Sequence, residues 1–138
     1  MSAIHSYLTF NGNCREAMTF YKKCLGGKLI LQTVGKSPRA EKMARPMKES
    51  VLHATLANDD LLLMASDMVS ENGLIKGNAV SLMLACGSER ELRQLYKKLS
   101  AGGQATHPVE TNFWGVLFGN LTDKFGNHWL LHFDKNKK

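Results

Sequence analysis

Five histidines and three cysteines hold most of the reactive side chains in this 138-residue chain. His128 and His132 have the H-x-x-x-H spacing that pairs two metal ligands on a helix. On a strand the two share a face but stand ~13 Å apart at ~3.3 Å per residue. One ion could bridge them only if another strand supplied further ligands. His53 and His107 stand in no ligand-like spacing. Cys14, Cys24 and Cys86 are odd in number and include no C-x-x-C pair. That pattern argues against a disulfide framework or a zinc site and for a reducing compartment, the cytoplasm. A nucleophilic Cys14 or Cys24 would need a basic partner that the sequence does not place beside it. "FNGNCREA" lacks the phosphate-loop spacing and "GKLILQTVGK" lacks the G-x-G-x-x-G fingerprint. A methyltransferase using S-adenosylmethionine would ordinarily be a longer alternating α/β chain with a glycine-rich turn.

The stretch "TNFWGVLFGNLTDKFGNHW" (111–129) concentrates five of the eleven aromatic residues. It reads as a hairpin, with a strand from Phe113 to Leu121, a turn containing Asp123 and Gly126, and a last strand from His128. Phe113 and Trp114 follow a predicted loop (108–112), which places them at the mouth of a cavity. Trp114 can stack on a planar ligand there or close the core. Gly115 and Gly119, four apart, are expected on one face, leaving room for a ligand or a neighbouring backbone. Asp123 reads as a turn former.

These residues must be positioned by a chain that repeats itself. Asn13-Cys14-Arg15-Glu16 is an N-cap followed three residues later by an acid, and Ser88-Glu89-Arg90-Glu91 is a full capping box. Each opens an amphipathic helix. The first carries Ala17, Phe20, Tyr21, Cys24 and Leu25 on one face, and the second carries Leu92, Leu95, Tyr96 and Leu99. Gly26-Gly27 and Gly102-Gly103 stop them. An apolar strand precedes each helix (4–10 and 79–85), and three strand candidates follow it: 28–34, 51–57 and 61–66, then 104–108, 113–121 and 128–133. The result is α+β, βαβββ twice, with module 1 at about 1–67, module 2 at about 78–134 and a polar connection between them. In the last strand Trp129, Leu131 and Phe133 should face the helix, and His128, Leu130 and His132 the other side.

Composition sets outer bounds. A chain of this length, 43% hydrophobic, can bury one domain's core without staples. No stretch approaches the ~20 apolar residues of a membrane span. The net charge of +6 raises nucleic acid as a partner. The lysines are scattered, however, apart from a basic segment at 36–48 and a C-terminal tail, so a solvated surface is expected instead.

The paired pattern, with "YLTFNGNCREAMTFYKKCLGG", "LLLMASD" and "FWGVLFGNLTDKFGNHW", resembles the PhnB-like branch of the vicinal oxygen chelate superfamily. That superfamily includes glyoxalase I, bleomycin-resistance proteins and extradiol dioxygenases. The resemblance implies two tandem βαβββ modules forming a U-shaped eight-stranded sheet around a cavity, with helices outside, in a homodimer. In the superfamily's enzymes four side chains from the first and last strands of the modules hold a divalent metal. Carried onto this chain they fall on His5, on Met64 or Leu62, near Val80, and on Leu130. Only His5 is a suitable ligand, so no catalytic metal or other cofactor is expected. The expected binding residues are His5, Tyr7, Met64, Ser66, Phe113, Trp114 and Leu130, and the expected ligand is a small organic molecule. A metal-dependent lyase, isomerase or dioxygenase is the alternative.

Overall fold

The computed structural model describes residues 2–34, 50–59, 61–67 and 73–135. The basic segment at 36–48 therefore lies outside the described residues, as does the end of the tail. The chain divides into two compact units, Met1–Ile75 and Lys76–Lys138. Each is built in the order strand, helix, three strands, the α+β plan of two tandem βαβββ modules.

In the first unit β1 (Ser6–Thr9), α1 (Cys14–Leu25), β2 (Lys28–Thr33), β3 (Val51–Asn58) and β4 (Leu61–Ser66) form one layered module. The sheet runs β1-β4-β3-β2, with β1 parallel to β4 and the other pairs antiparallel. Cys14, Ala17, Met18, Tyr21 and Cys24 of α1 are buried and pack on the side of the sheet that holds Ala54, Leu56, Leu63 and Ala65, all at most 4% exposed. β1 is shorter than the apolar run from Ile4 suggests, because its ladder with β4 starts at Ser6↔Leu63. Ile4 is 99% exposed.

Asn13 makes no side-chain cap bond. The first turn of α1 is held instead by Asp67, just beyond β4. Its Oδ1 accepts from the backbone N–H of Gly12 at 3.0 Å and of Cys14 at 2.9 Å, and its Oδ2 accepts from Val51 N–H at 2.8 Å. One carboxylate thus ties the helix N-terminus to the start of β3, where a negative charge also complements the helix dipole.

The second unit has β5 (Leu82–Ala85), α2 (Glu89–Ser100), β6 (Gln104–Thr111), β7 (Val116–Thr122) and β8 (His128–Asp134), with the sheet order β5-β8-β7-β6. Here the capping box forms as the sequence indicates. Ser88 Oγ accepts from Glu91 N–H at 3.1 Å, and Glu91 Oε1 accepts from Gly87 N–H at 3.1 Å. Leu92 and Leu99 of α2 are fully buried, as are Leu117, Leu121 and Leu131 of the sheet, with Trp129 4% exposed. The expected division of β8 into helix-facing and outward residues holds.

Three strand boundaries differ from expectation. β5 begins at Leu82, and Val80 lies outside it, 79% exposed. β6 extends to Thr111, so the expected loop at 108–112 is mostly strand. β7 begins at Val116, because Asn112 to Gly115 form the hairpin turn. Asn112 Oδ1 accepts from Trp114 N–H and Val116 N–H at 2.9 and 3.0 Å, an Asx-type turn that overrides the β propensity of Phe113 and Trp114. Gly115 closes the turn with φ of 80°.

Candidate functional site

Alternation along the strands of the first unit leaves one face of the sheet uncovered by α1. Registers align Ile30 with Thr55, Thr55 with Met64, and Met64 with Tyr7, so these four side chains form one row across the sheet. Ile30 is 50% exposed and Tyr7 51%. Beside this row stand Gln32, His53, Ser66 and Thr9. The rings of Tyr7 and His53 are 6.1 Å apart and tilted by 34°. His53 Nε2 lies 3.2 Å from Thr55 Oγ1. This face therefore offers an aliphatic and thioether surface with a phenol on its edge strand and an imidazole and a hydroxyl on an interior strand.

Four of the expected binding residues meet on or beside this face. Tyr7 and Met64 are direct neighbours. His5 is exposed but precedes the paired part of β1. Ser66 is only 2% exposed, and its backbone carbonyl accepts from Phe10 N–H at 2.8 Å where the chain leaves β1. His53 and Thr55 were not expected at the site. The alternation in "VLHATLA" is the signal that finds them, since a buried Ala54 and Leu56 put His53 and Thr55 on the opposite side.

The other three expected residues belong to the second unit. Leu130 is central on the helix-free face of its sheet, paired with Met83 and Asn120. Phe113 and Trp114 form the tip of the β6–β7 hairpin, 94% and 74% exposed, with their rings edge to face at 5.8 Å. Trp114 is therefore no core residue. The pair Gly115 and Gly119 does not share a face. Gly119 faces α2, and a Cβ there would lie 2.9 Å from Cε2 of Tyr96. The room it provides is filled by that ring, whose hydroxyl donates to His107 O at 2.8 Å and Asn120 O at 3.0 Å.

The two aspartates with the most backbone partners are structural. Asp123, 3% exposed, accepts from Phe125 N–H and Asn127 N–H through Oδ1 and from the Trp129 indole N–H through Oδ2 at 2.8 Å. It is a turn former that also anchors the core tryptophan. The cysteines are buried, and none of the three forms a disulfide. Burial, reinforced by Asp67, pushes the Cys14 thiol up to about 12. Burial, reinforced by Glu91, pushes Cys86 up to about 11. Both stay protonated at neutral pH and are poor nucleophiles.

The fold raises the question of a divalent metal held between first and last strands. At the carried-over positions stand His5, exposed ahead of β1, Met64 or Leu62 in β4, Val80, 79% exposed outside β5, and Leu130 in β8. Of these only His5 bears a group that suits an ion favouring imidazole and carboxylate. Among the described residues no three of His, Cys, Asp or Glu gather where they could share an ion.

Two tandem βαβββ modules, each with its helix on one face of its sheet, define a glyoxalase-type protein. The profile of the Glyoxalase/Bleomycin resistance protein/Dioxygenase superfamily matches residues 3–131, and the chain belongs to that superfamily, in its PhnB-like branch. It is similar to YjdN of Escherichia coli K12, with 26% identity over 139 residues covering 95% of each chain. Among solved structures it is similar to PA1353 from Pseudomonas aeruginosa, at 36% identity and a TM-score of 0.82, over 97% of this chain and 98% of that one. It is also similar to a PhnB protein from Bacillus cereus, provisionally described as a 3-demethylubiquinone-9 3-methyltransferase. That match has 26% identity and a TM-score of 0.75, over 96% of this chain and 99% of that one. No helix among the described residues is long and apolar enough to cross a membrane.

Proposed function

We propose that the protein binds a small organic ligand on the helix-free face of its first sheet and does so without a catalytic metal. The observation that carries this reading is the Tyr7–Met64–Thr55–Ile30 row, half exposed at both ends and flanked by His53. Apolar lining with a few polar groups is the usual makeup of a small-molecule site. The donor set at the metal positions supports the metal-free half. Methyl transfer, the description attached to the Bacillus cereus relative, is disfavoured. The β1–α1 connection, Phe10 to Asn13, has one glycine and no cofactor fingerprint. Three reduced, buried cysteines suit the cytoplasm.

A screen of small aromatic and aliphatic compounds by protein-observed NMR tests the reading. Hits should shift Tyr7, His53 and Met64. Tyr7→Ala should lose them by about tenfold or more in affinity while keeping the circular dichroism of the parent, since a half-exposed ring contributes little to the core. Undiminished binding by Tyr7→Ala would sink the proposed site. Elemental analysis finding about one tightly held transition metal per chain, needed for activity, would favour the lyase, isomerase or dioxygenase alternative.

The preferred partner is a second copy of the chain. Exposed Ile30, Tyr7, Met83, Phe113 and Trp114 give a monomer more apolar surface than an isolated domain tolerates well. Sedimentation equilibrium should report a homodimer at micromolar concentration, and a species of 15.3 kDa would contradict it. Nucleic acid is not a proposed partner, because the charge is dispersed.

A further inference from the structure

On its helix side the second sheet holds a cavity of about 320 Å³ between α2 and β6, lined by Arg93, Tyr96, Ala105, Pro108 and Val109. Gly119 shapes its floor. A Cβ there would lie 2.9 Å from Tyr96 Cε2 and 3.0 Å from Val109 Cγ2, so ring and valine converge on the spot that the missing side chain leaves. The Tyr96 hydroxyl is committed to His107 O and Asn120 O, which fixes the ring as a wall. The strand supplies the other wall through an irregularity. In an unbroken strand Ala105 and Val109 share one face and Pro108 points to the other. Here His107 pairs with Asn120 and Glu110 with Phe118, so three steps along β6 match two along β7. This bulge brings Pro108 to the cavity beside Ala105 and Val109, at a position where a missing N–H is tolerated. It also brings His107 and Glu110 together on the opposite face, with Nε2 2.9 Å from Oε1 and the imidazole stacked on Phe118. Bulges of this kind re-aim side chains beside functional sites.

Arg93 is the cation of this lining. Its Nε donates to Glu89 Oε2 at 2.9 Å, one helical turn back. Among the described residues that is its hydrogen bond, and Nη1 and Nη2 make none. A guanidinium that spends Nε on one carboxylate keeps its end-on pair of donors, spaced to take both oxygens of another. Glu89 does not cancel the charge. Its second oxygen lies 3.7 Å from Lys135 Nζ, and the Arg93 hydrogen bond, with the charge of Lys135, holds its carboxyl below the ordinary value. Two cations therefore stand against one anion at the rim. The Arg93–Glu89 pair is exposed, and such a pair binds its partners weakly, so the fork can turn toward an incoming group. The remaining lining is a phenol ring, a methyl group, a pyrrolidine ring and an isopropyl group. An apolar wall with one fork-shaped cation matches a ligand of the reverse kind.

We propose that this cavity binds a small monocarboxylate with an apolar body. The carboxylate sits on Nη1 and Nη2 of Arg93, and the body lies against Tyr96, Pro108 and Val109. The volume is at the lower end of the ~300–1,000 Å³ usual for ligand sites, which suits one ring or a short branched chain. Inorganic phosphate has the charge but no body to fill the walls. No bond is made or broken. The site is on the outer, helix side of the second sheet and does not depend on the ligand face of the first.

The test titrates benzoate into the isotope-labelled full chain and follows the backbone amides of Ala105 and Val109 and the side-chain N–H of Arg93 by NMR. These should shift saturably. Benzamide, which has the ring without the charge, and inorganic phosphate, which has charge without the ring, should each bind about tenfold more weakly or less. Arg93→Gln should weaken benzoate by about tenfold or more. Ala105→Leu, which keeps the guanidinium and fills the cavity, should do the same. Arg90→Gln, exposed on the same helix outside the cavity, should behave as wild type. The proposal is overturned if benzoate causes no saturable shift, or shifts only Tyr7, His53 and Met64 of the first sheet. It is also overturned if benzamide or phosphate binds as tightly as benzoate, if Arg93→Gln or Ala105→Leu binds undiminished, or if Arg90→Gln loses binding. The comparison of the three probes on the wild type decides the matter even if a variant fails to fold.

Discussion

Asp123→Ala is expected to lower folding stability by about 3–4 kcal/mol, the largest loss from any single polar substitution considered. The carboxylate is 3% exposed and accepts three hydrogen bonds, one of them from the indole of a tryptophan only 4% exposed. Truncation leaves that indole N–H buried without its acceptor, along with two turn amides. Each stranded donor costs about 1–3 kcal/mol, offset in part where water can enter the turn. Asp123→Asn, which keeps an oxygen, should lose roughly half as much. Urea denaturation of the three proteins measures this directly. An alanine variant within about 1 kcal/mol of the parent would mean that the turn holds without its carboxylate.

Asp67→Ala should cost about 2–3 kcal/mol, from three charge-assisted bonds to Gly12, Cys14 and Val51 at a site that is only partly buried. Asn13→Ala, at the position the sequence marks as the cap, should cost no more than ~0.5 kcal/mol, because its side chain makes no cap bond. The contrast between the two is the decisive quantity. If Asn13→Ala were the more damaging, the cap would be local and the role assigned to Asp67 would be wrong.

That contrast also shows where sequence reasoning reached its limit. Ser88 and Glu91 cap a helix three residues away, so spacing alone reveals them. Asp67 caps one more than fifty residues away, and no periodicity links it to Gly12. The strands and helices were legible because alternation and 3.6-residue spacing are local. The hairpin at Asn112 was misplaced because two aromatic residues look like strand, whereas one asparagine side chain closes a turn under them. The candidate face was half legible. Tyr7 and Met64 follow from their strands. The company of His53 depends on which strands lie side by side. The His107–Glu110 pair could not be read at all, since a regular strand would separate them and only the bulge unites them.

The two modules therefore differ in how their helices come to order, although they share a plan. Closing the α2 cap requires a loop of three residues, whereas the α1 cap requires one of 53 to 55. By chain-closure entropy that difference amounts to roughly 2–3 kcal/mol. The first turn of α2 can be secured as soon as its own residues leave the unfolded ensemble. The first turn of α1 must wait for β4, the last strand of its sheet, to deliver Asp67. A duplicated architecture thus contains one half that can nucleate locally and one whose helix start is secured only when its module is nearly complete.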